Sequence, residues 1–251
     1  MLINLDQVPA SACLAEEDLS LTDVVSNIGG HWFSSEPILT DALEGVVQGL
    51  RSRTSELVAR PANGNDGICQ LVPFAGQPFL AFEDGKNCGF TIKSEQSCAR
   101  ISMVLCFGTP TPTSGTLASI LSQGAQQTLS LRGDDGVLQV GNRKGQPSLN
   151  IPIEPKPKVH TVCLTQDSKG VRVAVDNGLE CFLEWSDGFE PGAVTSFIAC
   201  RRDQAGLYKT QGPAHIADML LLPDFDLFSA RGRRLRKRMN QYVQEVFSVD
   251  V

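Results

Sequence analysis

The chain has no run near the ~18 consecutive apolar residues that cross a bilayer as a helix, so no transmembrane helix and no membrane insertion are expected. Its first residues, Met1-Leu2-Ile3-Asn4-Leu5-Asp6-Gln7, lack a basic stretch leading into an apolar one. No secretory signal is read there, and synthesis in the cytoplasm is expected. Histidine is scarce: only His31, His160 and His215 occur, and of these only His160 has a cysteine nearby, Cys163. None of the eight cysteines forms Cys-x-x-Cys. Zinc sites are built from such clusters, so none is expected. Phosphate-binding loops, dinucleotide fingerprints, Gly-x-Ser-x-Gly elbows and His-Glu-x-x-His helices are also missing. Positive charge is not in excess: 22 Lys and Arg against 28 Asp and Glu give −6. An acidic chain of this kind is not a general nucleic-acid binder.

What is present points to a folded, turn-rich protein. Charged residues are 20% and apolar residues 41%, which excludes a disordered chain or a coiled coil. The 23 glycines and 14 prolines supply turns. Cys106, Cys163 and Cys200 lie in apolar, strand-like runs, where a thiol acts as a small buried hydrophobe. Most cysteines are therefore expected to be reduced.

The N-terminal 1–66 reads as a partly helical arm. Leu19 to Val25 suggests a short helix ended by Gly29-Gly30. A second helix is expected over 40–51, with Thr40 as N-cap and Asp41 and Glu44 in its first turn. There Leu43, Val46, Val47 and Leu50 fall at i, i+3, i+4, i+7, one apolar stripe. Residues 61–67 form a loop, and a boundary is placed there. From 67 to 225 the pattern becomes short strands and turns, about eleven or twelve strands in all. Asp134-Asp135-Gly136 and Asp176-Asn177-Gly178 mark turns between them. Residues 226–251 revert to helical period over 229–247, with Leu235, Met239, Tyr242, Val243 and Val246 on one stripe. The first half of this tail is basic: Arg231, Arg233, Arg234, Arg236, Lys237 and Arg238. No aromatic residues interleave with those arginines, so a solvated face or a contact with acidic protein is expected there, and nucleic acid is not an expected partner.

The stretch His160-Thr161-Val162-Cys163-Leu164-Thr165, a polar turn, Val171-Arg172-Val173-Ala174-Val175 and Asp176-Asn177-Gly178 resembles the best-marked hairpin of concanavalin A-like, laminin G-type jelly rolls. Gly212-Pro213-Ala214-His215-Ile216-Ala217-Asp218-Met219-Leu220-Leu221 looks like their closing strand, and Ile101 to Phe107 suits another, though without the usual Trp. The resemblance covers roughly 68–224. It implies a mainly β, two-sheet antiparallel jelly-roll sandwich with short helical extensions at both ends. The layout of arm, jelly roll and tail also resembles head-spike or fibre proteins of tailed phages and gene transfer agents.

Glucanases of this fold carry Glu-x-Asp-x-x-Glu on one strand, which aims an acid and a nucleophile into one groove. No such string occurs here. The histidines at strand ends read as structural. Laminin G-type sandwiches often hold calcium on a rim, but Asp134-Asp135 and Asp176-Asn177 read more simply as turn formers. No metal and no cofactor are expected. Sugar binding needs exposed aromatic faces and polar forks. Trp185 and Asp187, with Arg201, Arg202 and Tyr208 in the next long loop, are the expected ligand-binding residues. Leu43, Val46, Val47, Leu50, Leu235, Met239, Tyr242 and Val246 are the expected oligomer contacts, because an apolar stripe outside a closed sandwich needs a cover.

The function expected is therefore non-catalytic. A lectin-like jelly roll binds cell-surface polysaccharide as part of a phage-like particle, self-associates as a homo-oligomer and contacts other particle or fibre proteins on the particle surface. The competing readings are a glycan hydrolase or lyase of the same fold, and a cytosolic scaffold module without a sugar ligand.

Overall fold

The computed structural model describes residues 19–109, 115–123, 128–134, 136–141, 148–154, 158–185, 189–202 and 213–247. The chain begins with α1 (Leu21–Asn27), β1 (His31–Ser34), a 3₁₀ turn at Pro37–Leu39, β2 (Thr40–Leu43), β3 (Val46–Arg51) and β4 (Val58–Pro61). It continues with β5 (Cys69–Phe74), β6 (Gln77–Phe82), β7 (Phe90–Cys98), β8 (Arg100–Gly108), β9 (Gly115–Ser122), β10 (Leu129–Asp134), β11 (Val137–Gly141) and β12 (Ser148–Pro152). The last elements are β13 (Val159–Asp167), β14 (Gly170–Val175), β15 (Cys181–Glu184), β16 (Gly192–Ile198), β17 (His215–Pro223) and α2 (Ala230–Val246).

All pairings are antiparallel. The first sheet runs β15-β14-β13-β8-β17. The other edge of β17 is shared by β6, opposite His215 and Ile216, and β1, opposite Asp218 to Leu221. Strands β5, β3 and β2 extend the sheet beyond β6. The second sheet runs β7-β16-β9-β10-β11-β12. Strand β4 belongs to both: Ala59 and Val58 pair with β3, and Arg60 and Pro61 pair with β7.

Side-chain alternation explains why the sheets stack. On β8, Ile101, Met103, Leu105 and Phe107 face the second sheet. Phe90 and Ile92 of β7, Leu129 and Leu131 of β10, and Leu138 and Val140 of β11 meet them from the other side. This is the two-sheet jelly-roll sandwich expected from the alternation of 67–225.

The outer face of the first sheet is also apolar, and α2 covers it. Leu235, Met239 and Val243 pack on Val104, Cys106, Cys163, Ala174, Leu220 and Leu222. Each such side chain gains about 1.5–3 kcal/mol by leaving water. Ser229 caps the helix by accepting from the Gly232 N–H. The basic half is partly engaged within the chain: Glu180 pairs with Arg233 and Arg236, Arg236 lies over the Phe228 ring, and Arg238 donates to the Leu19 carbonyl.

Three expectations are corrected. Residues 40–51 are not a helix but the β2–β3 hairpin, turned by Glu44 and Gly45 with φ of 51° and 81°. That pair of left-handed residues makes the two-residue turn a hairpin prefers. The false helical period has a cause. Asp41 pairs with Gly49 but Ala42 with Val47, so Gln48 is an extra residue. Such a bulge breaks the period of two and puts Val47 and Leu50, three apart, on the same buried face. Second, these residues do not form a stripe awaiting another subunit. Val47 and Leu50 lie in the inter-sheet core, Val46 is half-buried and Leu43 is exposed. On α2, Leu235 and Met239 are buried by the chain's own sheet, with Tyr242 and Val246 packed beside them. Third, the expected boundary near 66 is crossed by the β1–β17 and β4–β7 pairings, so residues 31–61 add strands to both sheets. The helix read near Leu19–Val25 is α1, capped by Ser20.

Candidate functional site

With α2 on the first sheet, the outer face of the second sheet carries no helix among the described residues. Cross-strand register shows what that face presents. Inward Phe90 and Ile92 alternate with outward Thr91 and Lys93. Thr91 stands across from Phe197, and Phe197 from Ser119; Lys93 stands across from Thr195, and Thr195 from Leu121.

At the β4–β7 edge of this face lies a cleft of about 420 Å³. Its apolar wall is Leu57, Val58 and Pro61; its polar groups are Glu56, Arg60, Asn63, Thr91 and Lys93. That volume falls within the ~300–1,000 Å³ of small-molecule sites. Thr91 is only 6% exposed, and its Oγ1 is buried without a hydrogen-bond partner. A buried hydroxyl left unpaired costs about 1–3 kcal/mol, so it is a group poised for a ligand or water.

Beside the cleft the chain turns back over the sheet. Ala199, with φ of 54°, ends β16, and its N–H donates to the Leu117 carbonyl at 2.8 Å. The outward Ser119 Oγ then donates to the carbonyls of Cys200 and Arg201, at 2.8 and 3.1 Å. Phe197, Cys200 and Ala62 form a small apolar cluster under this turn, against Leu121. Gly89 permits the approach, because a Cβ there would sit 2.6 Å from the Cys200 side chain.

The expected ligand residues are distributed as follows. Arg201 and Arg202 are half-buried on this turn, and Arg202 Nε donates to Thr128 Oγ1 at 2.9 Å. Trp185 is 9% exposed and belongs to the inter-sheet core, so its ring offers no open stacking face. Asp187 and Tyr208 lie outside the described residues. Sequence reading did not single out the cleft residues. The signal was present, since Thr91 and Lys93 alternate with Phe90 and Ile92, but nothing local says which polar strand face is concave.

The histidines and acidic turns have structural partners. His160 is fully buried, and its Nδ1 lies 2.6 Å from Asp176 Oδ2. Burial alone would raise the Asp176 carboxyl, but hydrogen bonds from His160 and the Thr161 N–H, with the His160 and Lys158 charges, hold it below the usual range. Among the described residues His160 Nε2 has no hydrogen-bond partner, hydroxyl or thiol. Burial lowers both His31 and His215. Asn177 accepts a hydrogen bond from Asn240 of α2. Among the described residues no group of three His, Cys, Asp or Glu side chains is placed to hold a metal. The described cysteines form no disulfides, and all but Cys181 are buried. Burial pushes Cys88 and Cys98 up to about 11 and Cys163 up to about 12.

No protein-family model matches the chain, and no curated protein matches it. Solved structures do. A Trypanosoma rangeli sialidase in complex with a 2,3-difluoro-nononic acid superposes at TM-score 0.57 and 16% identity, over 88% of this chain and 33% of that one. A structure concerned with cell entry of botulinum neurotoxin type C and two ganglioside molecules superposes at TM-score 0.51 and 11% identity, over 85% of this chain and 51% of that one. The chain thus spans about a third of the sialidase and half of the toxin structure. Mouse laminin α1 domains LG4-5 align at TM-score 0.40 and 15% identity, over 54% of this chain and 39% of that one, too slight an overlap to carry an argument. At these identities the likeness is one of fold.

Proposed function

We propose that this protein is a non-catalytic glycan-binding protein and that its site is the cleft at the β4–β7 edge of the second sheet. The observation that carries the reading is the buried, unpartnered Thr91 Oγ1 in a cleft that also presents Arg60, Asn63, Lys93 and Glu56. Hydroxyl donors and acceptors, a carboxylate and amide groups suit a ligand made of neighbouring hydroxyls. Among the described residues no aromatic ring lines the cleft, so recognition by these groups is by hydrogen bonds rather than stacking. The sialidase complex contains a sugar acid and the toxin interacts with gangliosides, which supports a carbohydrate-related role for a chain of this fold. Among the described residues Glu56 is the one carboxylate lining the cleft, whereas glycoside hydrolysis in most families uses a pair. The proposal does not extend to a phage-like appendage. Among the described residues the terminal helices that suggested it come down to short α1 and one long helix, α2, packed on its own sheet.

A glycan array followed by titration tests the reading. Thr91→Val keeps the shape of the side chain and removes the hydroxyl. Binding should fall about tenfold, equivalent to about 1.4 kcal/mol, with an unchanged far-UV spectrum. Polysaccharides incubated with the protein should release no reducing sugar. Full affinity in Thr91→Val would remove the cleft from consideration.

A further inference from the structure

The same sheet face carries a second group of polar atoms, three strands from Thr91. A single register row runs Thr116 of β9, Arg132 of β10, Gln139 of β11 and Asn150 of β12. The inward neighbours of Arg132 and Gln139 are the core residues Leu131, Leu138 and Val140, so this row points outward. Leu131 pairs with Ala118 but Arg132 with Thr116, which leaves Leu117 as a bulge. Leu117 and Ala118 both turn into the core, and the bulge sets Thr116 directly across from Arg132.

Both members of that pair are unsatisfied. Thr116 is 1% exposed and its Oγ1 has no hydrogen-bond partner. Arg132 is half-buried, and its Nε is buried without one. Asp134, two residues along the same strand, is exposed and makes no ion pair with Arg132. A guanidinium with a buried, unpaired N–H and, among the described residues, no counter-ion is costly unless something anionic meets it. A hydroxyl beside it adds one more donor, and the Gln139 and Asn150 amides continue the row with groups that fork onto hydroxyls.

We propose that Arg132 and Thr116 form an oxyanion subsite, so that the glycan bound on this face carries a carboxylate or a sulfate. This rests on the reading that the face binds glycan. It adds the charge class of the ligand, which the β4–β7 cleft does not specify.

The test follows the Arg132 Nε–Hε resonance in the full chain during titration with glucose, glucuronate, glucose 6-sulfate and inorganic sulfate. The charged sugars should shift that resonance and bind at least tenfold more tightly than glucose, with the preference shrinking as salt rises. Whichever charged sugar binds more tightly identifies the natural oxyanion. Arg132→Gln should erase the preference, and Thr116→Val should weaken it. If Arg132→Gln does not fold, the wild-type resonance still decides. Sugar binding that leaves the resonance unmoved, or glucose binding as tightly as both glucuronate and glucose 6-sulfate, overturns the subsite and leaves the glycan reading intact. A shift with inorganic sulfate but no sugar binding keeps the oxyanion site and removes the glycan reading. No shift with any of the four probes overturns both.

Discussion

Asp218 is buried beneath α2, where Trp32 Nε1 donates to its Oδ1 at 2.7 Å and the Tyr242 hydroxyl donates to its Oδ2 at 3.2 Å. Burial drives its pKa up, against those hydrogen bonds and the nearby Arg53 charge, from 3.8 to about 6. Fully expressed, that rise corresponds to about 3 kcal/mol, since each tenfold change in proton affinity is about 1.36 kcal/mol. The sign follows from proton counting. Between about pH 4 and pH 6 the folded protein holds a proton that the unfolded chain has released, so stability from this group falls as pH rises through that window. Asp218→Asn removes the titration while keeping an acceptor for Trp32 and a donor toward the Tyr242 oxygen. Urea unfolding of both proteins at pH 4.5, 6 and 8 should then show the Asn variant gaining on the wild type with rising pH, by about 2 kcal/mol over that range. A difference that is flat with pH, or that grows toward acid, would refute the buried-charge argument. Asp218→Ala should be destabilising at every pH, because it orphans the Trp32 N–H and the Tyr242 hydroxyl.

Asp176 should behave oppositely, since its folded pKa is depressed: Asp176→Asn should destabilise at neutral pH and cost progressively less as pH falls below about 4, measured by the same unfolding curves. Truncation after Phe228 uncovers the outer face of the first sheet, so the remaining chain should bind a hydrophobic dye and lose cooperative unfolding; a stable, well-folded truncation product would show that α2 is dispensable. In a Cys13→Ser variant, thiol titration of the native protein should find Cys181 reacting first and the buried thiols appearing only in denaturant, with fast reaction of Cys106 or Cys163 as the contrary result.

The sandwich was legible wherever strands were paired by short turns and kept their alternation. The β13–β14 hairpin, the β10–β11 hairpin and the closing β17 lie where the hydrophobic pattern places them. The β2–β3 hairpin was not, because one bulged glutamine converts alternation into an apparent helical stripe, and propensity has no means of seeing a register shift. Trp185 illustrates a different limit. A tryptophan at a strand end suits a rim or a core equally well, and only the backbone bond from its N–H to the Lys169 carbonyl and the inter-sheet residues around its ring decide for the core. Thr91, Thr116 and Arg132 are ordinary outward residues in sequence. Their distinction is an unmet hydrogen bond, a property of three-dimensional surroundings that no local window contains.

Strand β4 pairs with β3 of one sheet and β7 of the other, and its Val58, Arg60 and Pro61 form a wall of the cleft. Shifting that wall would break two hydrogen-bonded ladders at once. The cleft is therefore a rigid mould, not a jaw. A ligand entering it meets groups already in place and spends little on ordering them. Association should follow a single fast phase whose rate rises linearly with ligand concentration, without the plateau that a closing step imposes. Selectivity then rests on fit to a fixed outline, and changes of specificity would have to come from the side chains that line the mould, since its frame is held from both sides.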